Sequence, residues 1–543
     1  MQPDSASASA PQTIPARRPP GAPPLRGSVF PPVVSKAFLL AARARIVFWD
    51  RALRNVEAEQ MRHLKDFVSH AKDTEFGRQY SFGSIRTYDD FRRNVPLGDY
   101  DSHWPAIERM MKGERNIVVP EPIIHFGNSS GSSNKGRPKF LPIGDKQIRF
   151  QKGSAADGLF RYITAKNDDS FLRGYTLGLL PPATRRPQGP VFITSNPAIM
   201  TLQKPLAAKA VWLPSAATGN IDDYEKRLAG IAEECMDYDV RAVAGTTCWF
   251  SLLFDKLLAA AERRGRRVRS VGELWPNLRV LMGGGVSADP YVPVIRSRMG
   301  HDDFSLMDTY NATEGGIYAA SDCSGERGML MIPDRGVFFE FVALDELDKP
   351  EPMRVPLWGV EKNKLYALVV TTPSGLYSYK IGDIVRFPSI SPHRMEFAGR
   401  LSGCLSTTQE LMTHVEIERA VEAALKAQPA VTYDFGCAAD VGVGGSRSRY
   451  VLFLEFIPGK EPADVAKLGA AFDASLCEQN RVYREHRANE VAILAPEVIA
   501  LPSGSVKRFM ADAGMTSVQQ KFPRILDDER KALLRSYVAQ KQA

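Results

Sequence analysis

The sequence predicts an α/β protein with a large N-terminal unit containing mixed sheets and a smaller α+β C-terminal unit. Three observations carry that prediction. Short apolar runs ("YTLGLL", "VFITS", "VRAVAGTT", "LRVLMGGG") alternate with amphipathic stretches between the Ser-rich segment and residue 285, the texture of strands and helices around an internal sheet. From Leu330 to Ser389 strands follow one another directly, as in "GVFFEFVAL", "LYALVVTT" and "GLYSYKIGDIVRF", which reads as antiparallel pairing. Gly, Ser and Thr then cluster in Phe397–Glu410 before a new amphipathic helix, "HVEIERAVEAALKA", which marks a boundary. The expected organisation is a tail over 1–30, a large domain over 31–400 and a small domain over 401–543.

In chain order, "MQPDSASASAPQTIPARRPPGAPPLRG" is rich in Pro, Ala and Ser and lacks an apolar signal core; it reads as a disordered tail, not a secretory signal. From Val34, "KAFLLAARARIVFWDRALRNVEAEQMRHLKDFVSHAK" spaces apolar residues three and four apart, predicting one or two amphipathic helices. "YDDFRRNVPLGDYDSHWPAIERMMKGE" mixes short helices with turns. No apolar run reaches the ~18 residues a membrane span requires.

Composition narrows the function. The 543 residues are 44% hydrophobic and 24% charged, ordinary globular usage. The net charge of +8 is a small difference between 70 basic and 62 acidic residues, so no nucleic-acid partner is expected. The densest basic run, "AERRGRRVRS" (Ala261–Ser270), reads as the solvated end of a helix. Six cysteines without a CxxC pair read as free thiols in a reducing, cytoplasmic compartment. Eight dispersed histidines with no HxxxH give no metal framework of their own. No membrane partner is expected, and a monomer is the default for a two-domain chain of this size.

The most informative stretch is "HFGNSSGSSNKGRPKFLP", His125–Pro142, with four serines and three glycines ahead of Lys135, Arg137 and Lys139. Such a loop offers backbone N–H groups, hydroxyls and charge to a phosphate, although a solvated linker has the same composition. It is not a Walker A loop, because Arg137 and Pro138 follow Gly136. Gly283, Gly284 and Gly285 end a strand where a flat ligand could approach backbone, or simply make a tight turn. In "DTYNATEGG", Tyr310 could stack on a base, Thr313 bind an oxyanion and Glu314 hold magnesium; a polar loop with one buried tyrosine is the alternative. Asp383 in "YKIGD" could accept ribose hydroxyls or sit in a Gly-Asp hairpin. Lys507 in "SGSVKRF" could be an exposed lysine.

The order of these elements resembles the adenylate-forming superfamily, luciferase-like in fold, and within it the Gretchen Hagen acyl acid-amido synthetases. The resemblance rests on "NSSGSSNKGRPK", "GGG", "YNATE", "YKIGD", "FAGR", "LWPNLRVL" and "GMTSVQQKFPR", and spans about residues 50 to 530. It implies an AMP-forming ligase that uses ATP and Mg²⁺ to adenylate a small carboxylic acid, then transfers the acyl group to an amine, an amino acid being the expected acceptor. It further implies that Ser129, Ser130, Gly131, Ser132, Ser133 and Lys139 cradle phosphates and that Tyr310 and Gly283–Gly285 face adenine. Thr313 would meet the α-phosphate, Glu314 the metal and Asp383 the ribose, with Arg400 at the hinge and Lys507 serving one half-reaction. Ser132 stands where the family usually has Thr, and Leu411 where a lysine is common. The Pro-rich N-terminus suggests a bacterial relative. A thioester-forming ligase acting on coenzyme A or a carrier protein, and an inactive nucleotide-binding relative, are the alternative readings.

Overall fold

The structure is a computed structural model and describes residues 24–129, 139–284, 292–347, 349–401, 404–405, 412–440, 448–480, 483–484, 487, 493–513 and 522–542. The chain forms two compact units, Met1–Ile381 with Arg386–Glu396, and Gly382–Val385 with Phe397–Ala543.

The first unit begins at the sheet edge. Arg26 forms a parallel bridge with Tyr238, donating its N–H to Asp237 O at 2.8 Å and accepting from Asp239 N at 2.9 Å. These bonds hold residues that composition alone assigned to a tail over 1–30; residues 1–23 lie outside the described residues. Two helices follow, Pro32–Arg54 and Val56–Ala71, broken at Asn55 (φ −124°, ψ 47°), whose side chain donates to Arg51 O at 3.0 Å. The first helix buries Leu39, Ala42, Ile46, Trp49 and Leu53 at helical spacing and packs on the helix Asp145–Lys166.

The unit contains a four-stranded sheet ordered Lys139–Ile143, His125–Ser129, Val191–Thr194, Arg186–Gln188. A twelve-stranded sheet runs from Arg354–Pro356 through Phe338–Ala343, Leu365–Thr371, Tyr379–Ile390, His393–Arg400, Met329–Met331, Gly316–Ala320, Ser305–Ala312, Val280–Gly284, Val240–Gly245 and Tyr175–Leu179 to Trp212–Leu213. The last five of these strands pair in parallel. Gly316–Ala320 pairs antiparallel with Ser305–Ala312, and Phe338–Ala343 does so with both its neighbours. The strand succession after Leu330 therefore continues the parallel sheet and does not form a separate one. A core of Leu177, Val243, Leu253, Leu257, Trp275 and Leu281 fills the space between the parallel strands and the helices Tyr224–Cys235 and Thr247–Arg263. The basic run after the latter helix is paired, not merely solvated: Arg263 and Arg264 meet Glu233, and Arg264 and Arg266 meet Asp237.

The second unit is a four-stranded sheet, Glu497–Leu501, Arg449–Phe456, Thr432–Asp440, Ile525–Leu526. Alternate residues of its central strand face opposite layers, the two-residue period of a strand. Tyr450, Leu452 and Leu454 pack with the helices His414–Ala427 and Val465–Gln479, while Val451 and Phe453 pack with Ser505–Asp512 and Asp528–Gln542. Thr413 and Glu416 close a capping box at the start of the first helix. Cys235, Cys323, Cys437 and Cys477 are free thiols.

Candidate active site

Parallel strands present their carboxyl ends along one edge, where open α/β sheets bind ligands. Here that edge carries Thr246 and Thr247 after Val240–Gly245, Gly283 and Gly284 at the end of their strand, and Thr313 and Glu314 after Ser305–Ala312. The strand His125–Ser129 runs parallel to Val191–Thr194 and antiparallel to Lys139–Ile143, with Ser129 opposite Lys139. The strands His125–Ser129 and Lys139–Ile143 flank the Ser-rich segment in sequence. A Cβ at Gly127 would sit 2.6 Å from Thr313 Cγ2, so this small sheet lies directly against the Thr-Glu pair of the large one.

Among the sequence-assigned residues, Tyr310 is buried and its ring centroid lies 5.8 Å from that of Tyr318. Glu314 is buried with it. Gly283 leaves no room for a side chain: a Cβ there would be 2.0 Å from Thr247 Oγ1. Its carbonyl accepts from Thr309 Oγ1 at 2.8 Å. Lys139 is buried, with Nζ 5.5 Å from the Tyr100 ring centre, and Tyr100 Oη accepts from Phe140 N at 2.9 Å. Ser130, Gly131, Ser132, Ser133 and Gly285 lie outside the described residues, as do Leu411 and Lys521.

In the second unit, Asp383 lies inside the strand Tyr379–Ile390, not in a hairpin turn, and Arg400 Nε is 3.2 Å from its Oδ1. Lys507 is exposed on the helix Ser505–Asp512. Glu455 fixes the start of that helix, accepting from Gly504 N and Val506 N at 2.7 Å each, which satisfies two of the unpaired N–H groups at a helix start. Arg524, whose role the sequence left open, ties the unit together. It donates to Glu418 at 2.9 Å and to Phe435 O at 2.9 Å, pairs with Asp434 and lies over the Phe435 ring.

Several buried polar residues of the first unit lie outside the positions assigned from the sequence, although Tyr379 opens "YKIGD". The buried Thr247 Oγ1, Tyr379 Oη and both amide atoms of Gln147 and Gln151 have no hydrogen-bond partner among the described residues. Gln151 faces the same region, since a Cβ at Gly316 would sit 2.6 Å from its Cγ. Burial first, and the Glu314 carboxylate second, push the Tyr379 phenol above its ordinary range, which puts Tyr379 within electrostatic reach of Glu314. Unsatisfied buried polar atoms are costly unless a ligand or water completes them, so this grouping fits a polar ligand. Among the described residues no cluster of acidic, His or Cys side chains could by itself cage a metal. One carboxylate nonetheless suits a magnesium ion that shares its coordination with phosphates.

Comparison with known proteins places this arrangement. Sequence models of the GH3 family N-terminal, central and C-terminal domains match residues 45–177, 330–400 and 415–530, together more than half of the chain. The chain belongs to the GH3 family. Among curated relatives of this GH3 protein, a putative indole-3-acetic acid-amido synthetase of Oryza sativa subsp. japonica is 27% identical over 69% of the chain and 84% of its own length. The indole-3-acetic acid-amido synthetase GH3.3 of Arabidopsis thaliana is 23% identical over 88% and 90%. These relatives are plant proteins and lend no support to a bacterial source. Among solved structures, the acyl acid amido synthetase AtGH3.15 superposes with a TM-score of 0.69 at 19% identity, covering 94% of this chain and 97% of that one. A 2-hydroxyisobutyryl-CoA ligase shares the fold at a TM-score of 0.56 and 14% identity over 89% and 91%. The adenylate-forming fold class read from the sequence is thus the fold observed.

Proposed function

We propose that this GH3 protein is an AMP-forming acid-amido synthetase, converting a carboxylic acid and ATP to an acyl-adenylate and pyrophosphate, then transferring the acyl group to the amine of an amino acid to give an amide and AMP. The observation that carries this reading is the close approach of Gly127, on the strand that leads into the Ser-rich segment, to Thr313 at the carboxyl edge, in a chain of this family.

The acid is already ionised near pH 7 and needs no general base, so the first step reduces to alignment and charge neutralisation. The proposed roles follow that requirement. Ser129–Ser133 and Lys139 hold phosphates, Thr313 donates to the α-phosphate, and Tyr310 with Gly283–Gly285 borders adenine. Bound Mg²⁺, held through Glu314, would supply positive charge against the phosphates. Asp383, steered by Arg400, is assigned the ribose, and Lys507 one half-reaction. The buried amides of Gln147 and Gln151 form a hydrogen-bonding wall for the ligand. Gly283 and Gly127 keep backbone close enough to exclude water between these groups.

The test is pyrophosphate release by the purified chain with ATP and Mg²⁺ across a panel of carboxylic acids, with and without mixed amino acids, and with coenzyme A in a parallel arm. Acid-dependent release with an amide mass in the product establishes the reaction. A thioester product instead, or silence with ATP still bound, overturns it. Asp383→Ala is expected to weaken ATP binding by about 1–3 kcal/mol, measured by calorimetry; unchanged affinity removes Asp383 from the nucleotide site.

A further inference from the structure

The helix Pro32–Arg54 has a second apolar face that nothing in the described residues covers. Its inner face is anchored by Trp49, Ile46 and Leu39 and by Arg45, which pairs with Asp157 and Asp334. On the opposite side Val33, Ala37, Leu40, Ala41, Ala44, Val47 and Phe48 are all exposed, at the three- and four-residue spacing of one helical stripe. Val33, Leu40, Val47 and Phe48 keep 68%, 63%, 63% and 61% of their surface open. Four of the molecule's most exposed large apolar side chains thus lie on one helix of 23 residues, roughly 34 Å long.

The charge beside the stripe identifies its occupant. Lys36, Arg43, Arg51 and Arg54 are exposed on the same helix. Its only acid, Asp50, is paired with Arg161. A second copy docked through this face would bring the cations of both helices together. Residues 1–23 offer only Met1 and Ile14 as large apolar side chains, too few to cover the stripe. An apolar stripe bordered by cations on a rigid helix is the pattern that lies in the interface of an anionic bilayer.

We propose that the outer face of Pro32–Arg54 docks the protein on an anionic lipid surface, inserting Leu40, Val47 and Phe48 among the acyl chains while Lys36, Arg43 and Arg51 meet the headgroups. This reverses the expectation of no membrane partner drawn from composition, which averages over the stripe. It holds whether or not the ligase reading does.

The full chain is sedimented with vesicles of phosphatidylcholine alone and of phosphatidylcholine mixed with phosphatidylglycerol. Binding is expected to the mixed vesicles only, weakening as salt rises. Leu40→Glu with Phe48→Glu is expected to lower partitioning at least about tenfold, with thermal unfolding unchanged because both side chains are exposed. Lys36→Gln with Arg51→Gln is expected to lower binding to mixed vesicles without affecting folding. No binding to either vesicle, binding that ignores both pairs of substitutions, or a lipid-free dimer abolished by Leu40→Glu would each overturn the proposal, the last by assigning the face to a second copy.

Discussion

One helix, Asp145–Lys166, buries polar side chains in two contrasting ways. Near its middle Asp157 is fully buried and accepts four hydrogen bonds at 2.8 Å, two from Arg45 and two from Arg335. Burial raises its proton affinity, but the two guanidinium groups outweigh that and hold the carboxyl below its ordinary range. Two and three turns earlier, Gln151 and Gln147 are as deeply buried, yet their amides have no partner among the described residues. The first arrangement is complete within the protein; the second is left for a ligand or water to complete. Polarity matched inside the protein stabilises the fold, and under the proposed function the unmatched amides are the ones that meet the ligand.

The largest effect that would break the contrast is at the matched end. Asp157→Ala should cost roughly 3 kcal/mol, because it removes the carboxylate shared by two part-buried guanidinium groups and leaves Arg45 with Asp334 alone; a urea midpoint close to the parent's would mean the network is ornamental. At the open end, Glu314→Gln should lower acid-dependent pyrophosphate release about 10²–10³-fold while leaving the urea midpoint in place. Retained activity would remove Glu314 from the chemistry.

A third test lies between the two in size. His63 lies on the buried face of the helix Val56–Ala71, its Nε2 accepting from Gly336 N at 3.4 Å, with an Arg62 nitrogen also 3.4 Å away. Burial first and Arg62 second push its pKa down to about 4. The unfolded chain binds a proton near pH 6.5 that the folded chain refuses. Stability is therefore complete above pH 6.5 and falls as pH drops toward 4, by about 3 kcal/mol in all. His63→Gln should flatten this slope in denaturation curves taken across that window. The smallest effect should come from Gln147→Leu with Gln151→Leu: stability within about 1 kcal/mol of the parent, but a raised KM for the acid or ATP. Loss of stability with unchanged KM would make the amides structural and erase the contrast.

The fold was legible wherever a single residue property repeats along the chain. The apolar spacing after Val34 marked both N-terminal helices, though not the break at Asn55, where φ and ψ leave the helical region. "VRAVAGTT" and "LRVLMGGG" were legible as strands because an internal sheet keeps most of their residues apolar and buried. The antiparallel run after Leu330 was visible, but its membership of the parallel sheet was not, since that depends on pairs such as Leu330 with Arg394. The assigned motifs owed their order to a family pattern; the meeting of Gly127 with Thr313 joins segments far apart in sequence that no spacing rule connects. Thr247 and the two glutamines carry no motif at all, and Tyr379, though it opens "YKIGD", drew no assignment of its own. Each looks like an ordinary helix or strand residue until its burial and unmatched atoms are seen together.

The contact of Gly127 with Thr313 has a genetic consequence. A single added methyl group would lie 2.6 Å from the Thr313 methyl and 2.9 Å from Ile143 Cδ1, so the turn after Ser305–Ala312 has to shift to admit it. Gly127→Ala would act as a wedge at the edge of the proposed nucleotide site, and activity is expected to fall more steeply with temperature than in the parent. It would be a conditional allele for following what the enzyme's absence does.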